Sequence, residues 1–239
     1  MINVETMRIQ PLGDSAIILD FADESSNAVE LLKRSLSAAD ALERANIPGV
    51  IEVTSAYQSV ALFLDLNRIA SVVNSRTIAD FLHEKIVSLV QSRGHRSKIR
   101  TRSVEIPVCY DLELAPDLAR IAEQTSLEQT QVVELHSSAT YTTACIGFLP
   151  GFPFLAGLPA KLQAPRLATP RTRVPAGSVA IAGAQAGIYP LDSPGGWNVI
   201  GRTPLRLLDA RLNPPALLRP GDRVRFRPIT RNEFDKFLT

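Results

Sequence analysis

The sequence predicts two domains, an α+β domain over residues 1–100 and a mainly β domain over residues 101–239. Strand-like and helix-like segments alternate up to about residue 100. After Thr140 the helical periodicity is lost, and prolines and glycines separate short apolar runs. With 239 residues, 45% of them hydrophobic, the chain suffices for two small domains or one large one.

The first domain is predicted to contain two strands or one hairpin, then a helix, two strands that form a hairpin, a second helix and a further strand. The first strand, residues 17–21, follows a turn signal, and the hairpin joins residues 51–53 to residues 60–64. Each helix has an apolar face with three- and four-residue steps, formed by Val29, Leu32, Leu36 and Ala39 in the first and by Ile78, Leu82, Ile86 and Leu89 in the second. The further strand covers residues 104–108. This order is typical of a ferredoxin-like sandwich, with helices on one face of an antiparallel sheet.

The second domain is predicted to begin with two short helices. The segment Ala115-Pro116-Asp117 opens the first, because a helix tolerates proline and favours aspartate in its first turn. Residues 126–129 have capping-box spacing and predict a second helix that ends near His136. The apolar runs that follow are predicted strands, at residues 179–181, 199–200, 205–207 and 224–226. They indicate a β-barrel or a β-sandwich.

The composition argues against several classes of function. The 26 basic and 24 acidic residues give a net charge of +2, so no general attraction to nucleic acid is expected. No apolar run reaches about 18 residues and the N-terminus lacks a secretory pattern, so we predict a cytoplasmic protein without a membrane span. Two cysteines, and three histidines without ligand spacing, predict no bound metal. The basic cluster at residues 93–102 is interpreted as a solvated linker, with an anion-binding patch as the alternative.

Three stretches of the second domain could carry chemistry. In the first, residues 147–155, two glycines and two prolines separate aromatic residues and make a rigid loop with exposed amides. Such a loop can bind a carboxylate or a carbonyl with little ordering cost. The alternative is a tight turn whose phenylalanine side chains fill the core. The candidate substrate-binding residues are Phe148, Pro150, Gly151 and Phe152.

The second and third stretches add arginines and a tryptophan. At residues 169–178 two prolines flank Arg171 and Arg173, whose planar guanidinium groups suit a carboxylate or a phosphate, unless they are only solvated. At residues 185–204 the chain's only tryptophan, Trp197, follows two glycines that permit unusual backbone angles. The tryptophan either contacts a ligand or packs in the core. The candidate binding residues here are Tyr189, Ser193, Gly195, Gly196 and Trp197.

His136 is the histidine nearest to these stretches. It is predicted at a helix end, five residues before Tyr141, where a structural role competes with a role as general base or hydrogen-bonding group. Gln185 is a second candidate for proton transfer or for orienting a ligand. Cys145 lies in an apolar segment without an adjacent basic residue that would lower its pKa, so it is not expected to be a nucleophile.

Four segments together resemble the family that contains the B subunit of 5-oxoprolinase, the Kip-type sporulation-kinase inhibitor and allophanate hydrolase subunit 1. The resembling residues are His136 with Tyr141, and residues 147–152, 170–178 and 185–204. The chain departs from the family pattern after Tyr110, where a glycine-rich turn is usual, and at Phe154, where a tyrosine is common.

The resemblance implies an N-terminal ferredoxin-like domain and a C-terminal cyclophilin-like barrel. It implies the B subunit of an enzyme that uses ATP to hydrolyse the lactam 5-oxo-L-proline to L-glutamate, and that is not active as this chain alone. The implied partners are a paired barrel protein, similar to the C subunit of 5-oxoprolinase, and a third protein similar to its A subunit. No ATP site is assigned to this chain. No segment resembles a biotin-carrier or biotin-carboxylase domain, so no biotin is expected.

The resulting hypothesis is a ligand cleft shared with the paired barrel. Arg171 and Arg173 would hold a carboxylate or a phosphate. Glycine amides of the two loops would face a developing negative charge, and Trp197 and Phe152 would exclude water. Two alternatives from the same resemblance stay open: an inhibitor of a sensor histidine kinase, and a component of an allophanate- or urea-type carboxyltransferase.

Overall fold

The structure, a computed structural model, describes residues 7–22, 27–73, 77–92 and 102–238. The chain divides into two compact units, Met1–Arg100 and Thr101–Thr239. Most of the predicted basic linker, at residues 93–101, lies outside the described residues. Within the described ranges no helix combines the length and the apolar character needed to cross a membrane.

The described part of the first unit contains an antiparallel sheet of four strands in the order β1-β2-β4-β3. Its elements are β1 Arg8–Pro11, β2 Ala16–Asp20, α1 Ala28–Ala45, β3 Val50–Ala56, β4 Ser59–Leu64, α2 Leu66–Ala70 and α3 Ile78–Ser92. The predicted first strand, the hairpin and the two long helices are therefore confirmed. The predicted further strand exists as β5 Ser103–Cys109, but it belongs to the second unit and pairs there with strands far away in the sequence.

Helix α1 shows how local chemistry fixes an element. Asn27 caps its N-terminus by accepting a hydrogen bond from the Glu30 backbone N–H at 3.0 Å. Asn46 closes its C-terminus in a left-handed conformation with a φ of 46°. The buried face consists of Leu31, Leu32, Ser35, Leu36, Ala38, Ala41 and Leu42. Val29, predicted on that face, is 59% exposed because it lies in the first turn, before the buried face begins.

The second unit contains a closed barrel of seven strands in the order β10-β7-β6-β13-β5-β12-β9. Strands β5 and β13 pair in parallel, and the other neighbours pair antiparallel. Strands β8 and β11 form a separate ribbon. The remaining elements are α4 Leu118–Thr125, α5 Gln129–Ser138, β6 Tyr141–Ile146, β7 Pro153–Ala156, β8 Arg171–Val174, β9 Ser178–Ala182, β10 Gln185–Ile188, β11 Ser193–Gly195, β12 Asn198–Arg202, β13 Arg223–Ile229 and α6 Arg231–Lys236. Of the two predicted architectures, a β-barrel and a β-sandwich, the structure therefore shows the barrel.

Two local predictions for this unit were wrong. Residues 205–207 form no strand, and their apolar character reflects burial of Leu207 in an irregular segment that starts just after Pro204. The capping box of α5 begins two residues later than predicted, because Gln131 accepts a hydrogen bond from the Glu128 backbone N–H at 2.9 Å. Ser126 instead ends α4 in a left-handed conformation.

Strand β9 is buried on both of its faces, and this burial positions the site described below. Val179 and Ile181 point into the barrel core, whereas Ala180 and Ala182 pack against a second, smaller cluster. That cluster consists of Phe152, Val174, Ala180, Ala182, Tyr189, Trp197 and Val199. The barrel wall therefore supports aromatic side chains on its outer face as well as a core inside.

Candidate functional site

A cavity of about 270 Å³ opens beside the smaller cluster. We call it the aromatic cavity. It is lined by Phe148, Phe152, Phe154, Arg166, Pro170, Tyr189, Pro194, Gly195, Gly196 and Trp197. All three stretches singled out in the sequence thus reach one cavity, joined by an arginine that none of them contains.

The aromatic side chains of the cavity form a fixed wall. Phe152 lies at its centre and meets Phe148, Tyr189 and Trp197 edge to face, with ring centroids 5.2–5.6 Å apart and interplanar angles of 85–89°. Edge-to-face pairs are the favoured geometry for aromatic rings. Phe152, Tyr189 and Trp197 are almost fully buried, whereas Phe148 is 66% exposed at the rim. The wall is therefore rigid inside and open at one edge.

Glycines make room for this wall. A Cβ atom on Gly187 would lie 2.8 Å from Cζ of Phe152, and one on Gly195 would collide with the Tyr189 hydroxyl oxygen. Neither Gly195 nor Gly196 has a positive φ, so the unusual backbone angles that these glycines permit are not used there. The lack of a side chain at Gly195 leaves the space that the Tyr189 hydroxyl occupies. At Gly196, by contrast, an added Cβ atom would make only ordinary contacts with Pro170.

Arg166 is the charged residue of the cavity lining. Its Cζ lies 6.0 Å from the centroid of the Trp197 ring, at the limit of a cation–π contact. The side chain is exposed and forms no ion pair with any described residue. The sequence predictions missed this arginine. The pair Pro165-Arg166 repeats the motif pair Pro170-Arg171 five residues earlier, and that repeat is the signal that could have identified it.

The two predicted arginines have carboxylate partners and do not line the cavity. Nη2 of Arg171 donates to Oδ1 of Asp117 at 2.7 Å, and the other oxygen of Asp117 accepts from the Val199 backbone N–H at 2.7 Å. Nε of Arg173 donates to Oδ2 of Asp192 at 2.8 Å on the exposed surface. The Ala176 amide and Arg173 together lower the pKa of Asp192. Arg171 is therefore tied to Asp117 and Arg173 lies on the surface, and the predicted ligand contacts of both arginines stay predictions.

His136 lies in a sealed aromatic cluster inside the barrel, which we call the histidine cluster. Its ring stacks on Phe226 with centroids 4.5 Å apart, and its Nδ1 is 2.8 Å from the Tyr110 hydroxyl oxygen. The residue is fully buried, and burial lowers its pKa to about 3. His136 is absent from the cavity lining. The structure thus places a neutral imidazole outside the cavity lining, and the proton-transfer role of His136 stays a prediction.

The chain is similar to proteins of known family over almost its whole length. The family model for the carboxyltransferase domain, subdomain C and D, matches residues 7–218. The chain belongs to this family. The B subunit of 5-oxoprolinase from Bacillus subtilis (strain 168) is 38% identical over 234 residues, 96% of each chain. The B subunit of 5-oxoprolinase from Escherichia coli O157:H7 is 38% identical over 225 residues, 94% of this chain and 97% of that one.

A solved structure agrees with the family assignment. The crystal structure of TTHA0988 superposes with a TM-score of 0.73 at 39% identity over 90% of this chain. The present chain corresponds to 40% of the length of that chain. The fold of this chain is therefore shared with part of a larger protein.

Of the other candidate site residues, some line the aromatic cavity and some do not. Phe148, Phe152, Tyr189, Gly195, Gly196 and Trp197 line the cavity. Outside the lining are the exposed Pro150, the buried Gly151 and Ser193, and the half-buried Gln185 in β10. Gly151 is packed against Leu208, since an added Cβ atom would lie 3.1 Å from Cβ of Leu208.

Tyr189 and Cys145, two titratable residues at or near the cavity, hold their protons at neutral pH. Burial raises the pKa of Tyr189, outweighing a backbone hydrogen bond with Trp197 and the charges of Arg166 and Arg171. Burial also raises the pKa of Cys145 to about 11, so its thiol is protonated at neutral pH. Among the described residues no group of three or more His, Cys, Asp and Glu side chains is placed to hold a metal ion.

Proposed function

We propose that this chain is the B subunit of an ATP-dependent 5-oxoprolinase complex that hydrolyses 5-oxo-L-proline to L-glutamate. The observation that carries the proposal is the near full-length similarity to the B subunit of 5-oxoprolinase from Bacillus subtilis. The cavity volume agrees with a one-ring substrate, since it lies just below the roughly 300–1,000 Å³ of sites for drug-sized ligands.

The chemistry of the cavity supports a dependence on other proteins. The described residues that line it supply aromatic rings, prolines, glycines and one arginine, but no histidine, carboxylate, cysteine or lysine. The remaining titratable group, Tyr189, has a raised pKa and holds its proton. Efficient general acids and bases have pKa values near the working pH. We infer that this chain binds and orients the substrate, and that partner proteins supply proton transfer.

The same reasoning assigns ATP to another member of the complex. A lactam amide is stable, so its hydrolysis needs activation, and ATP supplies that activation in the complex. The described cavity lining has one cation, and the sequence has no glycine-rich phosphate loop of the Gly-x-x-x-x-Gly-Lys-Ser/Thr type. A triphosphate would require several more donors. We therefore propose a paired barrel protein and a third protein as partners, similar to the C and A subunits of 5-oxoprolinase.

Two further points belong to this proposal. We propose that the first unit is ferredoxin-like, which its four-stranded antiparallel sheet and two long helices support. We propose that the barrel is cyclophilin-like, which its closure by seven strands supports. We also propose a cytoplasmic location, where ATP is supplied.

Reconstitution tests the proposal. The chain is purified, mixed with the two candidate partner proteins from the same genome, and assayed for ATP-dependent glutamate formation from 5-oxo-L-proline. We expect glutamate only when all three proteins are present. Full turnover by the isolated chain would refute the dependence on partners, and an inactive but assembled complex would refute the substrate.

A genetic experiment checks the substrate independently. A strain that lacks this gene is grown on 5-oxo-L-proline as nitrogen source, with L-glutamate as the control source. We expect a growth defect on 5-oxo-L-proline alone, reversed by the intact gene. Normal growth of the deletion strain on 5-oxo-L-proline would argue against the proposed function.

A further inference from the structure

We propose that the aromatic cavity is a binding site for a small cyclic carboxylate, and that Arg166 is the residue that pairs with the carboxylate group. The class of ligand follows from the cavity itself. Only its naming as 5-oxo-L-proline rests on the proposed function.

The first argument is the charge of the cavity. Among the described residues Arg166 is the only charged one in the lining, so the cavity attracts anions and repels cations. Arg171 and Arg173 each have an aspartate partner, whereas Arg166 has no carboxylate partner in the part of the chain that the structure describes. An arginine without a carboxylate partner among the described residues, at the mouth of an apolar cavity, is available for a ligand. Charge-assisted pairs with arginine are frequently bidentate, which orients the carboxylate as well as holding it.

The second argument is the position of the guanidinium group. Arg166 lies over the face of Trp197, with 6.0 Å between Cζ and the ring centroid. The N–H groups of a guanidinium lie in its own plane, so an arginine over an aromatic face can still donate to a carboxylate at its edge. The same indole forms part of the cavity wall. A ligand that pairs with Arg166 therefore brings its apolar ring against Trp197 and Phe152.

The third argument separates a carboxylate from a phosphate. A phosphate carries up to two negative charges and three acceptor oxygens, and it needs several donors. The phenylalanine and proline side chains of the lining cannot donate hydrogen bonds, and among the described residues Arg166 is the only cation that lines the cavity. One arginine matches a monoanion with two oxygens in one plane. The apolar lining then encloses the rest of a small ring.

Intrinsic fluorescence of the purified chain provides a direct test, because Trp197 is its only tryptophan and lines the cavity. The chain is titrated with 5-oxo-L-proline and with cyclopentanecarboxylate, each compared with its uncharged carboxamide. The titrations are repeated with Arg166→Gln and with Arg173→Gln, which removes an arginine outside the cavity. Inorganic phosphate is the competitor, and circular dichroism verifies that each variant is folded.

We expect saturable binding of the carboxylates and binding at least about tenfold weaker for the carboxamides. Arg166→Gln should weaken carboxylate binding by about the same factor and remove the preference over the carboxamide, and Arg173→Gln should leave both unchanged. Effective competition by phosphate, equal affinity for acid and amide, an unchanged Kd in Arg166→Gln, or no saturable response from the wild-type chain would overturn the proposal.

The two proposals fail differently in this experiment. Arg166-dependent binding of cyclopentanecarboxylate without binding of 5-oxo-L-proline would support the carboxylate site and contradict the proposed substrate. Glutamate formation by a reconstituted complex, when the isolated chain shows no Arg166-dependent binding, would support the proposed function and overturn the carboxylate site.

Discussion

The histidine cluster and the aromatic cavity both place a polar group among aromatic rings, but they differ in access to solvent. In the first, His136 is enclosed by Phe226, Tyr141 and Tyr110 and is fully buried. In the second, Arg166 lies at the edge of an open wall and stays exposed. Burial lowers the pKa of the imidazole and keeps it neutral, whereas the guanidinium group of Arg166 is open to solvent.

This difference in solvent access indicates which of the two groups can bind a ligand. A neutral imidazole sealed in a core contributes packing and one hydrogen bond to stability. An exposed arginine beside an apolar cavity contributes little to stability and is available for binding. We therefore expect substitutions in the histidine cluster to change the free energy of unfolding, and substitution of Arg166 to change affinity.

The largest expected effect is on the free energy of unfolding, when a phenylalanine is replaced by alanine in the histidine cluster and at the rim of the aromatic cavity. Phe226→Ala should lower the free energy of unfolding by about 3–5 kcal/mol, because it removes a buried ring that stacks on His136. Phe148→Ala should change it by less than about 0.5 kcal/mol, because that ring is 66% exposed. Urea denaturation of both variants measures the difference. Similar losses would mean that the rim of the cavity is as tightly packed as the barrel core.

A second comparison tests the packing of the cavity with adjacent glycines. Gly195→Ala should cost about 1–3 kcal/mol of unfolding free energy, because its new methyl group would displace the Tyr189 hydroxyl. Gly196→Ala should cost less than about 0.5 kcal/mol, because its methyl group would lie 3.5 Å from Cγ of Pro170, an ordinary contact. Thermal denaturation of the two variants would contradict this geometry if Gly196→Ala were the more destabilised.

A third prediction concerns pH and His136. The folded-state pKa of about 3 lies below the ordinary value of 6.5, so the unfolded chain takes up the proton first as the pH falls. The stability from neutral His136 is complete above pH 6.5 and is lost progressively towards pH 3. Between pH 7.5 and pH 5.5 this loss amounts to about 1.4 kcal/mol.

The variant His136→Gln should lack this part of the pH dependence. The matched control is His83→Gln, which alters an exposed histidine of α3 and should keep the wild-type pH profile. Urea denaturation at the two pH values gives the comparison. An unchanged profile in His136→Gln would show that the imidazole is not held neutral by burial.

The elements with a clear local pattern could be predicted from the sequence. Helices α1 and α3 and the hairpin of β3 and β4 follow from periodicity and turn residues, which are local properties. The membership of β5 could not be predicted, because its partner β13 lies near the other end of the chain. An apolar run such as residues 205–207 also gives the same signal whether it is a strand or a buried irregular segment.

The site was predictable in its aromatic part and not in its charged part. Glycine and proline around Phe152 and Trp197 indicated that these rings occupy special positions, and the structure brings them together. The sequence could not show which arginine lacks a carboxylate partner. Asp117 and Asp192, which pair with Arg171 and Arg173, come from separate segments that meet only in the folded barrel.

The steady-state kinetics of the reconstituted complex test the central claim most directly. KM for 5-oxo-L-proline is measured with wild-type chain, Arg166→Gln and Arg173→Gln. We predict that Arg166→Gln raises KM about tenfold while kcat stays within about twofold, because the arginine binds the carboxylate and takes no part in proton transfer. Arg173→Gln should match the wild type. An unchanged KM in Arg166→Gln, or an equal rise in Arg173→Gln, would contradict the account.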